Sequence, residues 1–343
     1  MTPVPPQLSV VIPSYGRPEP LKYTLGSVAR AASTFGAPVE LLLVDDGSEP
    51  PMAEQLRGYE PGIPVTHLRQ KNQGSIVARL TGLAEARGDF VLFLDSDDLV
   101  HPDKFARQVG LMQEAAADVS YADMGSARLG ADYGLAQWEP AEELPVVDDP
   151  AELFIKIQPA PHNPIYRRSY LQRALESPLI PPMRTSDSAG DVWLYYNLSV
   201  FPAKIVKAGG PLSSVGPHEE DRYSRHWENL AVAALRIMEA FVRACPKTEA
   251  TVPARRAVGE AAFQTWRRLP RRFNDGFARR MLAIYRQSPR SQTGNLGTQA
   301  FARLARFIGP LSAARILRLF RAQPYSSSRT LSDEEYRRLF ADF

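Results

Sequence analysis

The sequence predicts an α/β protein, with a Rossmann-like, mostly parallel sheet and flanking helices over residues 1–225 and a helical region over 226–343. Three observations predict it. Short β-branched apolar runs alternate with stretches of helical periodicity from Leu8 to Asp95, and such alternation builds a parallel sheet covered by helices on both faces. The runs end in Ser14, Asp45, Arg69 and Asp95, so polar chemistry collects at the rim where open α/β sheets bind ligands. The charge is also split: residues 1–224 carry 19 Lys+Arg against 29 Asp+Glu, and residues 225–343 carry 22 against 9. Such a split suggests two regions with different partners.

Leu8–Ile12, closed by Pro13-Ser14, is the first expected strand, and Pro18–Ala32 reads as a helix with Leu21, Leu25 and Val28 at helical spacing. Val39–Val44 is a second buried strand, ending in Asp45-Asp46-Gly47-Ser48. A helix over Met52–Arg57, a strand over Val65–Leu68 and a helix over Ser75–Arg87 follow. Phe90–Leu94 is five apolar residues bracketed by Gly88-Asp89 and by Asp95, Asp97 and Asp98, the pattern of a strand buried on both faces. Three carboxylates so close repel unless a cation or hydrogen-bond donors offset them. A divalent metal carrying a phosphorylated ligand would do so, because Mg²⁺ and Mn²⁺ take one or two carboxylates together with phosphate oxygens. A solvated acidic turn before Pro102 is the plainer alternative.

Lys104–Ala116 reads as a helix, Val119–Asp123 as a strand, and 125–150 as a loop or short hairpin. Three prolines in 159–164 exclude a helix there. Ser186–Leu198 has capping residues followed by an aromatic helix, and Ala203–Val215 reads as a strand and turn. From Trp227 onward, apolar residues fall on helical stripes, first Leu230, Ala233, Ala234, Ile237, Met238 and Phe241. A later stripe runs from Phe301 to Phe320, broken at Gly309-Pro310 and edged by arginines. That pattern suits a helix lying on anionic lipid, or one packed on its own protein or on a second copy.

The composition, 44% hydrophobic and 23% charged, is that of an ordinary globular chain. One cysteine, Cys245, excludes an internal disulfide framework and fits a reducing compartment. No signal-peptide pattern opens the chain, and no apolar run reaches the ~18–20 residues a span requires. The expected location is cytoplasmic, or peripheral at the inner face of a membrane. No nucleic-acid module accompanies the basic C-terminal third, so nucleic acid is not an expected partner.

Four motifs occur in order: Ser9-Val10-Val11-Ile12-Pro13-Ser14-Tyr15; Val44-Asp45-Asp46-Gly47-Ser48; Asn72-Gln73-Gly74 with Ala78-Arg79; and Gly88-Asp89 leading to Asp95-Ser96-Asp97-Asp98 and Pro102. Together they resemble the nucleotide-binding half of family 2 glycosyltransferases. That resemblance implies a GT-A fold, a nucleotide-diphospho-sugar donor (UDP the expected nucleotide), a saccharide or other hydroxyl acceptor, inversion, and Mn²⁺ or Mg²⁺. It covers 8–120 in register and continues more weakly to 225. By the same resemblance Pro13, Ser14 and Tyr15 line the nucleotide, Asp45 accepts from the base, and Arg79 lies nearby. Asp95 and Ser96 take the ribose side, Asp97 and His218 hold the metal, and Asp191 is the base that activates the acceptor. Where the family commonly shows Ala-Arg-Asn, this chain has Ala78-Arg79-Leu80. Apart from the resemblance, Asp45 reads as a turn carboxylate, Arg79 as a solvated helix face, and His218 as a surface residue in an acidic loop. Asp191 likewise reads as a first-turn acid serving the helix dipole. His162 is either an acceptor contact or a structural histidine. A nucleotidyltransferase and a non-catalytic nucleotide-sugar-binding protein are the rival functions.

Overall fold

The computed structural model describes residues 4–131, 133–216, 226–321 and 323–343. The chain divides into two compact units, Met1–Pro178 with Phe201–Glu220, and Leu179–Val200 with Asp221–Phe343.

The first unit is built on β1 (Leu8–Ser14), β2 (Val39–Asp45), β3 (Val65–Arg69), β4 (Phe90–Phe93), β5 (Leu99–Val100), β6 (Val119–Leu129), β7 (Leu135–Glu142), β8 (Ile165–Arg167) and β9 (Ile205–Ser214). Its helices are α1 (Pro18–Phe35), α2 (Met52–Gln55), α3 (Ser75–Glu85), α4 (Lys104–Glu114) and α5 (Arg168–Leu175). Among the described residues the strands form one sheet in the order β3-β2-β1-β4-β8-β6-β9-β5, with β7 on β6. The first four strands are parallel, as their alternation with helices predicts. Beyond them the sheet is mixed: β8 runs antiparallel to both β4 and β6, and β6 is parallel to β9. Three-residue β8 has too few positions for any periodicity to reveal it. The 125–150 stretch is a hairpin as far as Glu142, β6 continuing past Asp123 to pair antiparallel with β7, and an irregular segment over 143–149.

The two faces of the parallel strands are covered differently. Leu8, Val10 and Ile12 of β1 join Leu41, Leu43, Phe90 and Leu92 beneath Leu21, Leu25 and Val28 of α1 and Phe105, Val109 and Met112 of α4. On the other face α3 packs against β1 and β2. Gly82 permits this approach, because a Cβ there would overlap the Val11 side chain. Helix α1 begins with proline in its first turn and ends at Gly36 in the left-handed region (φ 66°), the usual proline-in, glycine-out asymmetry.

The second unit holds α6 (Gly190–Leu198), α7 (Trp227–Ala244), α8 (Val252–Arg268), α9 (Asp275–Gln287), α10 (Gln299–Ile308), α11 (Pro310–Arg321) and α12 (Asp333–Leu339). Helix α7 packs on α6, α8 and α9, and α8 packs on α9. Glu228, fully buried in α7, accepts from Tyr325 Oη (3.0 Å), from Thr330 N (2.8 Å) and from the Thr330 hydroxyl, tying the C-terminal stretch to the helix. Burial alone would raise the Glu228 carboxyl, but these hydrogen bonds outweigh it and hold it below its ordinary value. Among the described residues, no helix is long and apolar enough to cross a membrane.

Candidate active site

The parallel pairing aligns Ser14 with Asp45 and Asp45 with Arg69, setting three polar residues in one row at the carboxyl ends of β1, β2 and β3. The Leu94 N–H donates to Val11 O at 3.0 Å, carrying the line of β4 toward Asp95. The predicted rim is therefore real, and the connections that follow each strand decide what it displays.

After β1, Tyr15 is 57% exposed, while the buried Ser14 hydroxyl has no hydrogen-bond partner among the described residues. After β2, two adjacent aspartates build two loops. Asp45 accepts from Ser48 N (2.8 Å) through Oδ1 and from Met52 N (3.0 Å) through Oδ2, with Arg69 Nε at 3.7 Å. Asp46 reaches across to the next connection. Its Oδ1 accepts from Gln70 Nε2 (2.7 Å) and Gln73 N (2.9 Å), and its Oδ2 accepts from Gly74 N (2.8 Å). Gly47 lies between these loops at φ 87°, with no room for a Cβ beside Asn72 N. Asp46 was not among the residues singled out from the sequence. Its bonds hold the segment that leads into α3 and thus to Arg79.

Each carboxylate after β4 has a different side-chain partner. Arg79, 6% exposed, donates to Asp95 Oδ1 at 2.5 Å. Arg17, from the connection after β1, donates to Asp97 Oδ2 at 2.6 Å. Asp98 is buried: its Oδ2 lies 2.5 Å from Nδ1 of the fully buried His162, and its Oδ1 accepts from Gly216 N at 3.1 Å. Burial pushes the Asp98 carboxyl up, His162 opposes that, and Asp95 and Asp97 add to the rise. His162 is thus a structural histidine bracing the acidic turn from below. Beside it the fully buried Lys104 ammonium donates to Gln108 Oε1 (2.5 Å), Asn163 O (2.6 Å) and Ser213 Oγ (3.0 Å). These bonds pin the proline-rich segment between α4 and β9, and burial holds Lys104 well below its ordinary value.

The mutual repulsion that pointed to a cation is therefore met in part by Arg17, Arg79 and His162. Asp95 and Asp97 still keep 31% and 20% of their side chains exposed. As two hard oxygen donors they fit a divalent cation that a diphosphate also ligates. Asp98 does not fit, since both its oxygens are engaged inside the protein. Among the described residues no three His, Cys, Asp or Glu side chains converge on one point, and His218 lies outside the described residues.

Asp191 stands half-buried in the first turn of α6, after a 3-10 turn over Arg184–Ala189 that carries the competing Asp187. Both belong to the second unit. Arg17, like Asp46, went unrecognised in the sequence. The only signal was a basic residue directly after Gly16, whose left-handed φ of 65° turns the chain at the end of β1.

Residues 9–177 match the family Glycosyl transferase family 2. Among curated proteins, the chain is 37% identical to succinoglycan biosynthesis protein ExoW of Rhizobium meliloti over 147 residues, covering 40% of this chain and 44% of that protein. It is 35% identical to the putative teichuronic acid biosynthesis glycosyltransferase TuaG of Bacillus subtilis over 119 residues, covering 34% and 46%. The chain thus spans less than half the length of either relative, and only 17% of a glycosyltransferase of Rickettsia conorii to which it is 31% identical. Among solved structures, S. aureus TarS 1-349 in complex with UDP-GlcNAc shares the fold at TM-score 0.57 and 17% identity, over 92% of this chain and 93% of that one. The mannosyltransferase PcManGT of Pyrobaculum calidifontis, in complex with GDP-Man and Mn²⁺, does so at TM-score 0.51 and 15% identity, over 98% and 86%.

Proposed function

The chain belongs, through residues 9–177, to glycosyl transferase family 2, and from that premise we propose that it moves a sugar from a nucleotide-diphospho-sugar to an acceptor hydroxyl. UDP is the nucleotide in this reading, and the anomeric carbon is inverted. The observation that carries it is the pairing at the rim, where the partly exposed carboxylates Asp95 and Asp97 are each held by an arginine. An acidic rim alone would repel a diphosphate. Arginines at its edge, and a cation shared with the carboxylates, offset that repulsion. Structural neighbours bound to UDP-GlcNAc and to GDP-Man with Mn²⁺ support a nucleotide-sugar in such a site.

In this reading Pro13, Ser14 and Tyr15 line the nucleotide, and Asp45 offers the base what acceptor capacity its loop leaves. Asp95, steadied by Arg79, and Ser96 face the ribose. Asp97 and His218 would hold Mg²⁺ or Mn²⁺, and the guanidinium fork of Arg17 can bridge Asp97 and a phosphate oxygen. When bound, the cation supplies stabilisation of charge on the departing diphosphate. Inversion in a single displacement requires a base on the opposite side of the sugar, and Asp191 takes that proton.

Calorimetric titration with UDP tests the site. Affinity should fall at least about tenfold when EDTA replaces Mn²⁺, a loss of about 1.4 kcal/mol, and Asp97→Ala should abolish the difference. Equal affinity with and without metal would remove the cation from the reading. Absence of product from every labelled nucleotide-sugar would remove transfer itself.

A further inference from the structure

The last apolar stripe of the chain leaves several of its large side chains in water. Among the described side chains of α10 and α11 the buried ones are Phe301 and four alanines at 302, 305, 313 and 314. Three large side chains stay outside: Phe307 is 87% exposed, Ile308 40% and Ile316 43%. Phe307 and Ile308 end α10 at the corner made by Gly309 (φ 79°) and Pro310. Ile316 follows about 9 Å along α11, at 1.5 Å per residue. The corner thus presents three large apolar groups to water, one of them almost fully.

The charge around them has one sign. Residues 299–321 carry five arginines and no acid. Arg318 turns inward over the Trp266 ring, 5.1 Å from its centre, and donates to Leu269 O. Arg303, Arg306 and Arg315 are exposed on the same two helices as the apolar groups.

A second copy of the chain suits this surface poorly, because a two-fold contact would set the same arginines against one another with no acid between them. An anionic lipid surface suits both features. Phenyl and isoleucyl groups enter the boundary between headgroups and acyl chains, while guanidinium groups pair with lipid phosphates and keep their stems against the apolar layer. We propose that the α10–α11 corner docks this protein reversibly on an anionic membrane surface, with Phe307 and Ile308 as the inserted groups and Arg303, Arg306 and Arg315 as the electrostatic anchor. The inference does not depend on the chemistry proposed for the first unit.

Co-sedimentation of the full chain with vesicles tests it, using phosphatidylcholine alone or phosphatidylcholine with about one third phosphatidylglycerol. At low salt the chain should pellet with the anionic vesicles, remain in the supernatant with the neutral ones, and be released as salt rises. Replacing all three arginines by glutamine should weaken binding about a hundredfold, at roughly one kcal/mol each. The double variant Phe307→Ser, Ile308→Ser should weaken it about tenfold or more. These positions are exposed, so circular dichroism and melting of the variants should match the parent. No pelleting with anionic vesicles at low salt would overturn the proposal, as would equal pelleting with both compositions. So would a dimer, seen by light scattering, that Phe307→Ser dissolves, because the surface would then belong to a second copy.

Discussion

Asp46→Asn isolates the clamp between the connections after β2 and β3. The carboxylate accepts three hydrogen bonds, two at Oδ1 and one at Oδ2, from a site only 5% exposed. An amide of the same size keeps one acceptor oxygen and replaces the other by a donor. Its best orientation turns the oxygen toward Gln70 and Gln73 and leaves its NH₂ facing the Gly74 N–H. One charge-assisted bond is then lost, costing about 2 kcal/mol, and two become neutral bonds, each weaker by about 1 kcal/mol. The local cost is roughly 4 kcal/mol, close to three decades in the opening equilibrium. Hydrogen exchange at the Gln73 and Gly74 amides should accelerate by about 10²–10³-fold while the amides of β1 keep their protection. Because this segment leads into the helix that carries Arg79, the apparent KM for the sugar donor should rise more than kcat falls. Acceleration of less than about tenfold would refute the reasoning, since the clamp would then contribute no more than one ordinary neutral bond.

Two further outcomes are expected. Asp191→Asn should leave nucleotide-sugar binding intact and lower turnover by about 10²–10⁴-fold, the usual worth of a positioned base. Asp187→Asn should cost far less, and a reversed order in single-turnover assays would give Asp187 the role. Glu40 governs an acid-side stability term at the other end of the strands, accepting from Ser9 Oγ (2.6 Å), Arg87 N (2.6 Å) and Gly88 N (3.2 Å). Burial by itself would raise its carboxyl, but these bonds outweigh that and hold it below its ordinary 4.5. A depressed folded value gives stability that is present above the unfolded value and lost as pH falls through the folded one. Melting followed from about pH 6 down to 3 should therefore fall less steeply for Glu40→Gln than for the parent, and parallel curves would refute the assignment.

By itself the sequence determined the parallel strands, the helices between them and the rim they share. Those features are written along single elements: apolar runs such as Val39–Val44 and Phe90–Leu94 can be stable only when buried, and the polar residues that end them must then lie at one edge. The four motifs brought the family into view for the same reason, being strand ends and the turns that follow them. The division of labour among the acids was not legible. Asp45 and Asp46 are neighbours of one type, yet one closes its own loop and the other clamps the next connection. Arg17 meets Asp97 across 80 positions, and His162 meets Asp98 across 64. The C-terminal stripe was visible as amphipathic, but not that its alanines would turn inward and Phe307 outward. Periodicity records how one element alternates between water and core. Which charge meets which, and which side of a stripe is covered, depends on the packing of several elements at once, and only the tertiary structure decided it.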